Sequence, residues 1–254
     1  MNNFIGLRAL ARREIRRFMN MAGDTLVTPL ISALLYLFIF GYSIGKLVPS
    51  FAGTSYLEFI IPGVIMMSVI QSSYANTSFS IFISKWAGNI ADLLTAPLSY
   101  MEIVIAITIG GVVRGLIVSI GVYLVSAIFT GFMMYSFIHT LIFLVLITIV
   151  FSLLGIVVAI MAEDFEHLAI FQAFVLTPLV FLGGVFHPLS ILPPLFQQIT
   201  MFNPLFYMVS GFRYGLIGMS ETSVLGSFFV LLAFVVVLFA TVVTMFKRGY
   251  KLRS

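Results

Sequence analysis

The sequence contains no cysteine, one tryptophan and few charged residues. Without cysteine, the chain has no disulfide, no thiol nucleophile and no thiolate ligand for a metal. Charged residues make up 9% of the 254 residues, whereas soluble domains carry about 25%. A soluble surface needs more charge than this to remain dispersed, and a disordered chain needs low hydrophobicity and high charge. The composition therefore excludes both classes.

Hydrophobic residues form 61% of the chain, and the mean hydropathy is +1.17. The apolar runs, such as 141–161 and 224–246, are continuous, whereas the strands of an outer-membrane barrel alternate apolar and polar residues. A helix of about 20 residues crosses the hydrocarbon core and satisfies its own backbone groups. The pattern predicts an all-α polytopic membrane protein.

Six spans are predicted, and the connections between them are too short to hold a separate domain. The spans lie near residues 25–44, 59–83, 100–128, 137–162, 168–186 and 224–246. We therefore expect one transmembrane domain over residues 1–254, with an interfacial helix in 1–22, a cytoplasmic helix in 84–99 and an outer re-entrant segment in 187–215.

The basic residues predict the orientation of these spans. Ten of the 13 would lie on one side if both termini are cytoplasmic, whereas Lys46 and Arg213 would lie outside and Arg114 within the third span. The ten are Arg8, Arg12, Arg13, Arg16, Arg17, Lys85, Lys247, Arg248, Lys251 and Arg253. The positive-inside rule expects this asymmetry. No folded basic domain accompanies the clusters, so a nucleic-acid partner is not expected.

The first residues of the chain have the pattern of an amphipathic helix. An apolar face follows helical spacing, and Arg8, Arg12 and Arg16 form a basic stripe elsewhere on the helix. The apolar face consists of Phe4, Leu7, Ala11, Ile15 and Phe18. Such a helix lies in the membrane interface with its arginines at the lipid headgroups. The alternative is a basic tail that only fixes the topology.

Motifs for nucleotide, metal or nucleophilic chemistry are missing from the sequence. Residues 41–46 are one residue short of a phosphate-binding loop, and the three histidines are scattered over different connections. We therefore expect no catalytic, metal-binding or cofactor-binding residue and no enzymatic activity of this chain.

Two inner connections are candidates for contact with a partner. The first is a short amphipathic helix that Ser84 would cap and Pro97 would end. Its candidate residues are Lys85, Trp86, Asn89, Asp92, Leu93, Leu94 and Pro97. It could dock in the groove of a partner, or it could only anchor the chain at headgroup level through its tryptophan. The second is the acidic turn with Glu163, Asp164 and Glu166.

The outer connection is apolar, yet proline and glycine interrupt it repeatedly. This pattern favours short helices that dip into the outer leaflet and cap a central pathway, since broken helices at that depth need protein or a water-filled cavity beside them. The candidate residues are His187, Pro188, Pro193, Asn203, Pro204 and Arg213. The alternative is one interfacial helix without a gating role.

Polar residues inside the spans serve either helix packing or a pathway. Gln71 and Asn76 belong to a polar stripe of the second span, and Arg114 lies in the middle of the third. A charge there is expensive and must pair or face water. Glu58 and Glu102 are its candidate partners. The glycines of 111–115 permit close helix packing.

Three stretches resemble the permease subunit of ABC-2 type transporters. They are Ile61-Pro62-Gly63 at the entry of the second span, residues 92–98 at the inner helix, and residues 176–186 followed by Asn203-Pro204 and Arg213. The resemblance covers the whole chain and is closest to bacterial inner-membrane permeases. It implies a six-span permease of the type V exporter-like fold that dimerises with a second copy. It also implies a separate cytoplasmic ABC ATPase dimer, which binds ATP and Mg.

We therefore interpret the chain as an export permease of the bacterial cytoplasmic membrane. A secondary transporter or channel would need ionisable groups in its spans, and only Arg114 is near the middle of one. An intramembrane enzyme would need a nucleophile with a base beside it. The 27 phenylalanines against one tryptophan favour a lipid-like or amphiphilic cargo over a sugar.

Overall fold

The computed structural model describes residues 3–44 and 54–252, and helices are the main elements within these ranges. The predicted position of Lys46 lies outside the described residues. The helices are α1 Phe4–Met19, α2 Thr28–Tyr36, α3 Tyr56–Trp86, α4 Ile90–Thr95, α5 Tyr100–Thr130, α6 Phe137–Met161, α7 Phe165–Phe171, α8 Thr177–Phe181, α9 Pro194–Phe202, α10 Pro204–Ile217 and α11 Val224–Arg248. Turns of π-helix at Gly23–Val27 and Leu37–Ile44 flank α2, and another at Gln172–Leu176 joins α7 to α8.

Among the described residues, five helical segments are long and apolar enough to cross a membrane. They are Gly23–Gly41, α3, α5, α6 and α11. They match five of the six predicted spans to within a few residues. The remaining one, predicted at 168–186, is the shorter apolar helix Phe165–Phe181, which ends before the positive φ of Gly184. The polytopic class is confirmed, and the count of six stays a prediction.

Helix α3 is the centre of the bundle. Every side chain from Phe59 to Ile70 is buried, because α5, α6 and α10 surround this part of the helix. Small residues bring the helices close together: a Cβ atom at Gly155 of α6 would lie 2.6 Å from the carbonyl oxygen of Tyr74. The predicted glycines 111 and 115 of α5 likewise face hydroxyl-bearing side chains of α3 and α6. The close packing predicted for them is confirmed.

Both described ends of the chain lie at the same end of the bundle, which we call the base. The Asn3 amide donates to the Glu102 carboxylate (2.7 Å) at the start of α5, and Lys251 pairs with Glu163 (2.9 Å) after α6. The opposite end, the top, contains the α5–α6 loop and the connections before α9 and α11. There the Tyr135 amide donates to the carbonyl oxygen of Leu216 (3.0 Å).

Helix α1 lies across the base against α5. Of the predicted apolar face, Ala11 and Phe18 are buried within the bundle and Phe4 is 73% exposed, and the position of α1 in the membrane interface stays a prediction. Leu10 and Glu14 are buried as well, so the packed face is rotated from the predicted one. The rotation brings a carboxylate into the protein, a feature that an apolar periodicity does not reveal.

Candidate functional site

The inner helix is shorter than predicted. Ser84 does not cap it, because α3 continues to Trp86 and the Ser84 hydroxyl donates back to the Ser80 carbonyl oxygen (2.9 Å). The helix that follows is α4, Ile90–Thr95, and it ends before Pro97 as expected. Its boundaries differ because α3 runs past the predicted membrane edge.

The leucines of α4 do not form the exposed surface that the sequence suggested. Leu93 is only 6% exposed and lies with Ile90 in an apolar cluster at the base, and Leu94 is half-buried against the same cluster. Asn89 and Asp92 are exposed, and so is Trp86 at 74%. The face that a partner can reach is therefore polar with one large aromatic residue.

An aromatic cluster joins the two inner connections. The Phe165 ring at the start of α7 lies edge-on to the rings of Phe82 and Trp86, with centroids 4.6 and 6.0 Å apart. Phe165 itself is 42% exposed. The turn before α4 and the acidic turn before α7, which were separate candidates in the sequence, thus form one surface. We call the exposed residues Trp86, Asn89, Asp92, Phe165 and Glu166 the basal surface.

Lys85 lies behind this surface and does not point out of it. Its ammonium donates to the carbonyl oxygens of Ile160 (2.8 Å), Ala162 (2.9 Å) and Ala159 (3.3 Å) at the end of α6. These carbonyls have no partner within their own helix, and a cation there also interacts favourably with the helix dipole. Lys85 therefore caps the end of α6. The sequence had suggested only a coupling role for it.

The acidic turn is held locally. The Asp164 carboxylate accepts from the His167 amide (2.8 Å) and so caps α7, while Glu166 is exposed. Glu163 accepts from Lys251 (2.9 Å), and this hydrogen bond lowers the pKa of the Glu163 carboxyl below its usual value. The C-terminal end of the described chain is thereby tied to the α6–α7 turn.

A buried polar network ties α1 to α3. The Glu14 carboxylate is fully buried and accepts from the Ser80 hydroxyl (2.6 Å), Arg13 (3.2 Å) and Arg17 (3.2 Å). Arg17 also donates to the backbone and side-chain oxygens of Asn76 (2.7 and 3.2 Å). Asn76 therefore connects α3 to α1. Gln71, which belongs to the same polar stripe of α3, is half-buried. Glu14 was missed, since its sequence neighbours are arginines and suggest a solvated face.

Arg114 has neither of the predicted partners. Glu58 and Glu102 each form a capping box with the serine three residues before them. The guanidinium of Arg114 instead reaches the carbonyl oxygen of Thr25 at 3.5 Å, in the π-helical turn before α2, and its Nε is buried without a partner among the described residues. A weakly satisfied charge in a span points to a role other than stability.

We expect Arg114→Leu to lower transport while leaving the thermal stability of the permease equal to or above that of the wild type. Arg114 is half-buried with one weak contact, and replacing poorly compensated charges inside a protein by apolar residues is often neutral or stabilising. Melting of the purified protein and transport in reconstituted vesicles measure the two effects. Wild-type transport in the variant would show that the charge is incidental.

The top of the bundle contains the outer candidates in one packed unit, except for Pro193, which is exposed. Asn203 caps α10 through its amide oxygen, which accepts from Leu205 (3.0 Å), and its amide nitrogen donates to the Leu179 carbonyl oxygen (2.6 Å). Pro204 occupies the first turn of α10, and Pro193 precedes α9. Pro188 is buried beside His187, whose Nδ1 is buried without a partner in the described part of the chain.

Arg213 is the centre of this unit and is 1% exposed. It donates to Glu221 (3.1 Å) and to the Gly184 carbonyl oxygen (2.6 Å), and its guanidinium lies over the Phe59 ring at 3.9 Å. Glu221 also accepts from the Leu189 amide (2.7 Å). We call this set the top lock. The sequence named Arg213, but Glu221 lies beyond the predicted segment and was missed.

No group of three or more His, Cys, Asp or Glu that could hold a metal occurs within residues 3–44 and 54–252. Most of the polar groups described above are occupied by helix caps, ion pairs and carbonyl contacts, and Arg114 Nε and His187 Nδ1 are exceptions. The arrangement is that of a packed helical bundle with one surface at its base and one lock at its top.

Comparison with known proteins assigns the family. Residues 6–217 match the family model described as ABC-2 type transporter. The chain is 41% identical to the inner membrane transport permease YadH of Escherichia coli K12, over 99% of this chain and 98% of that protein. It is 27% identical to nodulation protein J of Azorhizobium caulinodans, over 70% of each chain. The chain therefore belongs to the ABC-2 type transporter family.

Proposed function

We propose that this chain is the permease subunit of an ATP-driven exporter in a bacterial inner membrane. Family membership and the name of the Escherichia coli relative support a transport permease of the inner membrane. ATP and Mg would be bound by a separate cytoplasmic ATPase. The observation that carries this division of labour is the basal surface, where two inner connections meet around exposed Trp86 and Phe165.

In this proposal the chain crosses the membrane six times, with the base in the cytoplasm. The fifth crossing in chain order is Phe165–Phe181 together with the residues that follow it up to Phe186, whose carbonyl oxygen accepts from Tyr56 (3.1 Å) near the top of α3. Helices α9 and α10 then form the outer re-entrant segment. This assignment is supported by α10, which is mostly buried against α3 and α6.

Transport would follow from movement of the base. Closure of the ATPase dimer around ATP would push on the basal surface, and α3 and α6 would transmit the movement to the top lock. A partner shifts such an equilibrium only if it contacts the two states differently. The turn before α4 is suited to that, because it ends α3, the central helix.

A second copy of the chain and membrane lipids are the remaining proposed partners. Helix α2 and helix α11 expose apolar side chains such as Ile31, Leu35 and Val236. An amphiphilic cargo is supported by an apolar cavity of about 270 Å³ beside Ile65, Tyr123 and Phe212.

We expect Trp86→Ala to release the ATPase from the permease while membrane insertion remains normal. Trp86 is exposed, so its removal leaves the core of the base intact. Tyr250→Ala removes an aromatic residue that is 49% exposed near the C-terminal end of α11 and is the matched control. Tagged permease purified in mild detergent is tested for the co-purified ATPase and for ATP hydrolysis.

Loss of the ATPase from the Trp86 variant alone supports the proposal. Equal recovery of the ATPase with both variants would place docking elsewhere. Transport by the purified permease without any ATPase, driven by an ion gradient, would contradict the division of labour itself.

A further inference from the structure

A basic cavity of about 590 Å³ lies at the base between α1 and α3. Four arginines of α1 line one wall, and α3 and the turn before α4 supply the rest. The residues that matter for its chemistry are Arg12, Arg13, Arg16, Arg17, Ser80 and Asn89. None of them belongs to the top lock, and only Asn89 belongs to the basal surface.

The charges of this cavity are not balanced by the protein. Glu14 neutralises part of the wall, since Arg13 and Arg17 both donate to its carboxylate at 3.2 Å. Arg12 and Arg16 are exposed and have no carboxylate partner among the described residues. The cavity thus holds four guanidinium groups against one carboxylate, which is the electrostatic signature of an anion site.

The buried carboxylate also positions the arginines. Glu14 is fully buried and holds Arg17 in place, and Arg17 in turn bonds to Asn76 of α3. This part of α1 is therefore anchored to α3 through Arg17. Arg12 and Arg16 lie one helical turn apart on the same anchored helix, and guanidinium groups recognise phosphate oxygens in a bidentate manner.

The surroundings of the cavity indicate an amphiphilic ligand. Ile83 of α3, 44% exposed, lines the cavity, and Phe4 and Ile5 lie exposed at the start of α1. Apolar side chains beside a basic cavity suit an acyl chain with an anionic headgroup. Asn89 is exposed, and its side chain makes no hydrogen bond in the described structure, so its amide is available to a ligand.

We propose that this cavity is a stoichiometric binding site for a phosphoryl group, supplied by the headgroup of an anionic membrane phospholipid. The phosphate would lie between Arg12 and Arg16, and Asn89 would contact it from the turn before α4. The bound lipid would connect α1 to that turn. Inorganic phosphate has the same chemistry and is the other source to be tested.

The test uses the full-length permease in detergent with dioctanoyl phosphatidylglycerol, dioctanoyl phosphatidylcholine and inorganic phosphate as separate probes. Native mass spectrometry gives the stoichiometry and the affinity for the lipids, and thermal melting gives the response to phosphate. Arg12→Gln with Arg16→Gln removes two unpaired charges of the cavity. Arg8→Gln with Lys247→Gln removes two charges outside it and is the matched control.

We expect one phosphatidylglycerol per chain, bound more tightly than phosphatidylcholine. The cavity variant should bind it at least about tenfold more weakly, since a hydrogen bond to a charged group contributes that much or more. The control variant should bind as the wild type does. A melting response to inorganic phosphate that only the cavity variant loses would support the phosphoryl site with a soluble ligand.

Equal affinity of the two double variants for phosphatidylglycerol would overturn the proposal, because the attraction would then be a general effect of charge. Failure of every probe to bind the wild type would overturn it as well. Arg12→Lys with Arg16→Lys is the control for misfolding. It keeps the charge but lacks the planar guanidinium, so its affinity for phosphatidylglycerol should lie between those of the wild type and the glutamine variant.

Discussion

Arg213→Ala is expected to lower the melting temperature of the purified permease by on the order of 10 °C. Removal of one partner from a buried ion pair destabilises a protein by about 3–5 kcal/mol, because the other charge stays buried without compensation. Here the loss also frees the Gly184 carbonyl oxygen and uncovers the Phe59 ring. Arg213→Lys should be intermediate, since a single ammonium cannot serve Glu221 and Gly184 while stacking on the ring.

Lys247→Ala is the control, because Lys247 is an exposed basic residue in the last turn of α11. A double-mutant cycle with Glu221→Gln isolates the pair from the rest of the top lock. A melting temperature of Arg213→Ala within about 2 °C of the wild type, or a cycle without coupling, would contradict a stabilising role of the ion pair.

The second large loss of stability is expected for a substitution at Gly155, where α6 crosses α3. An added methyl group in Gly155→Ala would lie 2.6 Å from the Tyr74 carbonyl oxygen, a backbone atom that cannot turn away, and would also meet the Thr77 hydroxyl. That hydroxyl donates to the Ser152 carbonyl oxygen (2.7 Å), so the contact between the helices would open. Overpacking of this kind costs about 1–3 kcal/mol.

Gly226→Ala provides the comparison within the same protein. Its Cβ would lie 3.5 Å from the nearest atom, which is an ordinary contact, and alanine favours a helix over glycine by about 1 kcal/mol. Thermal melting should therefore fall for the Gly155 variant and stay level or rise for the Gly226 variant. The same response in both variants would mean that close packing at Gly155 is unimportant.

The spans could be predicted from the sequence because their signal is local. A continuous apolar run is enough to predict a membrane span, and α3, α5, α6 and α11 lie within a few residues of the predicted ranges. The inner helix was predicted less well. Ser84 resembles a cap, but its hydroxyl bonds to the carbonyl four residues earlier, which any serine inside a continuing helix can do.

The side-chain partners were largely beyond the sequence, because they join residues far apart in the chain. Arg213 was named without Glu221, and Arg114 was given two glutamates that instead cap their own helices. Leu93 was expected to face a partner, yet its burial depends on a cluster contributed by several helices of the base. Apolar periodicity identifies an apolar face, but not the element that covers it.

The buried network of α1 has a consequence for the synthesis of the chain. Helix α1 is made before α3 and α5, yet its carboxylate site needs Ser80 of α3, and its packing needs Gly110 of α5. Roughly 90 residues separate the end of α1 from Gly110, so at about 5–20 residues per second α1 leaves the ribosome some 5–20 s before its docking site exists. Helix α1 therefore cannot reach its final place until α3 and α5 have been made, although it precedes both in the chain.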